Sequence, residues 1–174
     1  VSAPYGYVLS HEAVKFDVTE KNSTEESGVT IVAVKLGNYA QKGIIKISKT
    51  GEVFATVTAA DGVYQPVYTG QGLAGATYEI KAAADIYTPD GTLRCSAGEV
   101  VDTVTTGADG TAESKPLYLG KYEITEIKAP DGMVVNKGAH TAELVYAGQE
   151  IEITETAASF CNDRQKARIS LSKV

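Results

Sequence analysis

Apolar and β-branched residues recur at every second position in short runs, and Asp-Gly pairs punctuate them. Ile45, Ile47 and Lys49 share one face of a candidate strand, and Tyr78 and Ile80 share another. Val101, Thr103 and Thr105 form a third row, Tyr122, Ile124 and Glu126 a fourth, and Ile151 and Ile153 a fifth. A period of two puts alternate side chains on opposite faces, which suits strands and not amphipathic helices. The turns fall at Asp61-Gly62, Asp90-Gly91, Asp109-Gly110 and Asp131-Gly132, pairs in which both residues tolerate positive φ. No 12-residue stretch carries a 3.6 period. Residues 80–86, with Ala82, Ala83 and Ala84, fit a helical turn or an interrupted strand equally. Many short strands with regular turns predict an all-β sandwich.

Three strings recur in order. Ala3-Pro4-Tyr5-Gly6-Tyr7-Val8-Leu9 matches Ala129-Pro130-Asp131-Gly132-Met133-Val134-Val135. Leu36-Gly37-Asn38 with Gln41-Lys42 matches Phe160-Cys161-Asn162 with Gln165-Lys166. Ile45-Lys46-Ile47-Ser48-Lys49 matches Ile169-Ser170-Leu171-Ser172-Lys173. The spacing is 124 to 126 residues throughout, so the 174-residue chain holds one repeat and about fifty residues more. Residues 1–40 then read as the tail of a preceding unit, residues 41–163 as one complete unit, and residues 164–174 as a linker with the first strand of a following unit. The chain is expected to be a slice of a tandem array.

Composition excludes several functions. The net charge of −6 opposes nucleic acid and anionic lipid, and no apolar run approaches the roughly 18 residues of a membrane span. His11 and His140 are the two histidines, too few for a His-rich metal site, and both read as loop residues. No Gly-x-Ser-x-Gly element occurs. The reading is therefore not a turnover enzyme, with no metal and no cofactor. Turn chemistry accounts for the Asp-Gly aspartates without a calcium ion. Cys95 and Cys161 are expected to be free thiols, since a chain of this length does not need a staple.

One chemical constellation remains. Ile45 and Ile47 lead to Lys49, Tyr122 and Ile124 lead to Glu126, and Phe160 leads to Asn162. If the apolar residues face the core, an amine, a carboxyl and a carboxamide do so too. Unpaired charges there are costly, so the three should meet. A dry pocket favours the uncharged amine, a nucleophile. A protonated Glu126 could hydrogen-bond the Asn162 side-chain oxygen, polarise its carbonyl carbon and carry the proton. Loss of ammonia would leave an amide between Lys49 and Asn162, tying the first strand of the unit to the last.

Four separated elements then carry a resemblance: Ile45-Lys46-Ile47-Ser48-Lys49-Thr50, Leu73-Ala74-Gly75-Ala76-Thr77-Tyr78-Glu79-Ile80, Leu119-Gly120-Lys121-Tyr122-Glu123-Ile124-Thr125-Glu126, and Ala129-Pro130-Asp131-Gly132. In this order they resemble the Cna protein B-type domain, also called the SpaA-like pilin domain, of Gram-positive adhesins and pilus shafts. The resemblance implies a Greek-key β-sandwich similar to an immunoglobulin or transthyretin domain. It also implies a Lys–Asn or Lys–Asp isopeptide bond assisted by a Glu, at Lys49, Asn162 and Glu126. Lys46 and Asp163 compete for the first two roles, but both lie on the outward parity. The implied function is an extracellular stalk or shaft module at the cell surface or cell wall, with neighbouring modules of the same chain as partners.

The segment 51–72 is longer than the turn the resemblance leads one to expect. It holds Tyr64 and Tyr68, which are candidate contacts for a host surface protein or glycan; the alternative is an extra hairpin packed on the sandwich. Asn38 corresponds to Asn162 and Lys173 to Lys49. Each lacks its matching Glu and partner within these residues, so neither is expected to be bonded.

Overall fold

The computed structural model describes residues 2–168, 170, 172 and 173. Fifteen strands follow in chain order, and no helix occurs among the described residues. The first four are β1 (Tyr7–Val8), β2 (Thr24–Glu26), β3 (Val29–Ile31) and β4 (Tyr39–Ala40). Next come β5 (Lys42–Ala60), β6 (Val63–Gly72), β7 (Thr77–Ala82), β8 (Ile86–Tyr87), β9 (Leu93–Cys95) and β10 (Val100–Thr105). The last are β11 (Thr111–Glu113), β12 (Leu117–Tyr118), β13 (Gly120–Lys128), β14 (His140–Leu144) and β15 (Ile153–Asn162).

Two sheets face each other as a β-sandwich. One runs β10-β7-β13-β14, all antiparallel. The other is built around β5, with β11 and β12 antiparallel to it and β15 parallel to it. The inward rows are those of the alternation: Ile45 and Ile47 from β5, Tyr78 and Ile80 from β7, Tyr122 and Ile124 from β13, and Phe160 from β15. Burying each of these large side chains contributes roughly 1.5–3 kcal/mol.

Several elements depart from the plain alternation. Residues 83–85 bend between β7 and β8, so the alanine-rich stretch is an interrupted strand. In β10 the register shifts between Val100 and Asp102. Such a bulge turns the following side chains over, so Val104 rather than Thr103 and Thr105 packs towards the core. β15 begins at Ile153 and buries Thr154, Ala158, Phe160 and Asn162, which leaves Ile153 outside. His140 pairs with Ile124 in β14 and is not a loop residue.

Beyond its base at Gly51 and Gly72, the segment 51–72 is not packed on the sandwich. β5 runs on past the sheet and pairs with β6 alone, forming a two-stranded ribbon that turns at Asp61-Gly62. Its residues from Phe54 to the turn are exposed, and Tyr64 is 75% exposed.

Residues 2–40 contain only short pairings, β1 with β4 and β2 with β3. At the other end, Ile169 and Leu171 of the candidate opening strand lie outside the described residues.

Candidate functional site

Two neighbouring strands and one facing strand build the site. β15 lies parallel to β5 with Phe160 opposite Lys49 and Asn162 opposite Gly51. Lys49 and Asn162 therefore project inward one step apart on adjacent strands. Glu126 enters from β13 in the opposite sheet, where its cross-strand partner is Tyr78. The backbone of Lys49 is held in the ladder: its N–H donates to the Gly110 carbonyl at 2.7 Å, and its carbonyl accepts from Leu73 N–H at 3.0 Å. Gly110 has φ +79° and comes so near that a Cβ there would lie 2.5 Å from the Lys49 carbonyl oxygen. Any side chain at this position would push the loop away from the lysine.

The structure brings the three side chains together. Lys49 is fully buried, Glu126 is 2% exposed and Asn162 4%. Lys49 Nζ donates to Asn162 Oδ1 and lies 3.0 Å from Glu126 Oε1. Asn162 Nδ2 donates to both Glu126 oxygens at 3.0 Å. This corrects one sequence expectation: the carboxyl meets the nitrogen of the carboxamide, not its oxygen. The oxygen is already engaged by the amine, and a carboxamide presents its two ends to different partners.

Two further contacts hold Glu126. The backbone N–H of Asn136 donates to Oε2 at 2.7 Å, and the Tyr78 hydroxyl lies 3.5 Å from Oε1. Burial, and then the nearby Glu126 carboxylate, push the Tyr78 phenol well above the usual tyrosine range. Tyr78 and Phe160 stack at 4.6 Å, with Lys49 Nζ 5.9 and 6.0 Å from their ring centres. His140 packs on Phe160 at 4.5 Å from outside. Every buried side-chain nitrogen and oxygen among the described residues has a hydrogen-bond partner.

Neither Tyr78 nor Asn136 stands out in sequence as part of a site. Tyr78 looks like any core aromatic until the register sets it opposite Glu126. Asn136 contributes only its main chain, so its side chain carries no signal.

The competing residues lie elsewhere. Lys46 points to the outer face, where Nζ reaches Glu155 Oε2 at 2.7 Å. Asp163 is exposed. Asn38 Oδ1 accepts from Ser10 N–H at 3.4 Å, and Lys173 is exposed. Tyr64 and Tyr68 are on the ribbon and take no part in the buried cluster, and the Arg164 guanidinium sits 4.4 Å over the Tyr68 ring. Cys95 is half-buried, Cys161 is exposed, and both are free. Among the described residues no three His, Cys, Asp or Glu side chains gather as a metal site. The Asp90 and Asp109 carboxylates bind threonines of their own turns, which holds both below the usual carboxylate range.

Residues 67–157, more than half of the chain, match the family described as the SpaA prealbumin-like fold domain. The chain belongs to this family. A stretch of 74 residues is 32% identical to the trypsin-resistant surface T6 protein of Streptococcus pyogenes serotype M6, covering 41% of this chain and 14% of that protein. Among solved structures, the Bacillus anthracis TIE protein aligns over 93% of this chain and 24% of its own, at 26% identity and a TM-score of 0.49. GBS52, a minor pilin of Streptococcus agalactiae, aligns over 92% of this chain and 61% of its own, at 15% identity and a TM-score of 0.47. The chain thus spans a small part of the T6 and TIE proteins. Its SpaA-type domain is a prealbumin-like β-sandwich.

Proposed function

We propose that residues 41–163 are a stalk or shaft module of a Gram-positive cell-surface adhesin or pilus protein, locked by an amide bond that the module makes itself between Lys49 and Asn162. The observation that carries this reading is the contact of Lys49, Glu126 and Asn162 in a site closed to water. The reaction starts from the neutral form of the pair, a free amine and a protonated carboxyl, reached when one proton crosses the 3.0 Å from Lys49 Nζ to Glu126 Oε1. Lys49 Nζ attacks Asn162 Cγ, forming the C–N bond. Glu126 gives its proton to Nδ2, which leaves as ammonia, and takes up the proton that Nζ loses. Glu126 ends as it began, but the lysine and asparagine are consumed, so the reaction runs once and the protein is not a turnover enzyme.

Mechanical logic follows from position. The bond would join the first long strand of the unit to its last, closing a loop across 113 positions. By the chain-entropy model such a closure stabilises by about 4–5 kcal/mol. Load entering along β5 would leave along β15 through the covalent link, without unzipping the sheet.

Residues 1–40 are then the end of a preceding module and residues 164–174 the link into a following one. Val14, Phe16 and Val18 support this division: they alternate as a sheet face does, yet lie exposed. Neighbouring modules of the same chain are the partners, outside the cell at its surface or wall.

Pulling the chain from its two ends in a force experiment tests the reading. Residues between Lys49 and Asn162 should contribute no extension. Glu126→Ala should release an added length of roughly 400 Å, the extended span of the locked segment. An unfolding step of that size in the unaltered chain would contradict the proposal.

The ribbon favours a second reading, a module that grips a host surface protein or glycan. Phe54, Val57, Tyr64 and Tyr68 are exposed on one face of it, and grouped exposed apolar residues mark contact surfaces. Tyr64→Ala with Phe54→Ala should then abolish retention of the chain on immobilised host matrix protein or glycan. Equal retention of the altered and unaltered chains would discard this reading.

A further inference from the structure

The same small turn occurs twice. Tyr7 N–H donates to the Pro4 carbonyl at 3.1 Å, and Met133 N–H to the Pro130 carbonyl at 3.1 Å. Gly6 and Gly132 hold positive φ of 83° and 75°. Gln41 N–H donates to the Gly6 carbonyl at 2.8 Å, and Gln165 N–H to the Gly132 carbonyl at 2.9 Å. Tyr7 pairs with Ala40, and Met133 with Arg164.

What the two turns meet is different. At the first, Gln41 is buried and its carboxamide is fully used. Nε2 donates to the Gly148 carbonyl at 2.9 Å and to the Ile151 carbonyl, and Oε1 accepts from Ala147 N–H at 2.8 Å. The first turn also docks its glycine on Pro89, so closely that a Cβ on Gly6 would lie 2.5 Å from Pro89 Cγ. At the second turn the matching groups face nothing among the described residues: Gln165 is exposed, and beyond its own chain neighbours no described atom lies within 4 Å of a Cβ placed on Gly132.

We propose that the 130–133 turn and Gln165 are half of a joint that seats another copy of this unit, placed in tandem. In it Gln165 enters the copy's 147–151 loop as Gln41 enters this one, and Gly132 lies against the copy's proline equivalent to Pro89. The partner surface is thus displayed in the same molecule. A carboxamide with three fixed partners sets the rotation of one unit on the next, and the glycine sets their approach. One contact is not repeated: Tyr5 stacks on Tyr146 at 4.6 Å, while the second turn has Asp131 in that place. The second joint therefore relies on the carboxamide and the glycine without an aromatic pair. This inference rests on the reading of the chain as part of a tandem array.

The test is a tandem chain, residues 1–165 continued directly by residues 42–174, with the added copy alone isotope-labelled by segmental ligation. Amide exchange at Ala147 of the added copy should be slow. Gln165→Ala should speed it about tenfold, the effect of losing one well-made hydrogen bond, and leave the first copy unchanged. In the 174-residue chain Gln165→Ala should alter no Ala147 exchange, whereas Gln41→Ala should speed it by a similar factor. Equal exchange in the added copy with and without Gln165→Ala would overturn the joint, as would a silent Gln41→Ala. Mass measurement reports ammonia loss separately, so a free joint between cross-linked units would refute the joint and leave the proposed amide standing.

Discussion

The two halves of β5 have opposite fates, and the half richer in apolar residues is the one left in solvent. From Gly43 to Gly51 every second residue is buried, while from Phe54 to Ala60 all are exposed. The first half has the β10-β7-β13-β14 sheet above it and β15 beside it; the second has only β6. Ile47 is in the core and Val57 is in solvent because one has a facing layer and the other does not. A strand pattern therefore sets which residues share a face, and the presence of a second layer decides whether that face is worth burying.

The strongest way to break this contrast is to empty the buried half. Lys49→Ala removes the proposed link and leaves Glu126 buried with one partner fewer. Loss of the loop closure alone costs about 4–5 kcal/mol, and chemical denaturation should show at least that. Ile47→Ala should cost about 2–5 kcal/mol through the cavity it leaves, with the link still formed. Similar stabilities for Lys49→Ala and the unaltered chain would mean that the buried cluster does not support the fold.

A pH dependence sharpens the same contrast, because the raised phenols are confined to the sandwich. Burial and the Glu126 carboxylate raise Tyr78, and burial raises Tyr122, from the ordinary value of 10.0. Above about pH 10 the unfolded chain loses these protons first. Stability should be full below that pH and fall as pH rises beyond it. Denaturation of Tyr78→Phe across this range should show a shallower fall; an unchanged slope would remove Tyr78 from the explanation.

The smallest effects belong to the ribbon. Val57→Ala and Tyr64→Ala should shift stability by no more than about 0.5 kcal/mol, as surface changes do. A melting-temperature series across both halves would reveal a larger effect, which would mean that the ribbon packs on something in solution.

Much of the sandwich was legible because alternation is a local property. Rows such as 45/47, 78/80 and 122/124 can be read from adjacent residues, and the row ends Lys49, Glu126 and Asn162 follow from the same parity. Register is not local. Nothing near Tyr78 says that it pairs with Glu126, and nothing near Asn136 says that its main chain caps the carboxyl. The β10 bulge flips the parity of Thr103 and Thr105 without a glycine or proline to mark it. The ribbon was visible as extra length, but whether it folds back or projects depends on which surfaces are already covered. The carboxamide orientation depends on two partners, one from each sheet, so the expected contact of Glu126 with the Asn162 oxygen gave way to one with its nitrogen.

The mass of the intact, folded chain tests the central claim most directly. A self-made Lys49–Asn162 amide requires a mass one ammonia below that of the 18.3 kDa sequence, with Lys49→Ala and Glu126→Ala each at their full calculated mass. A folded, unaltered chain at its full sequence mass would contradict the account.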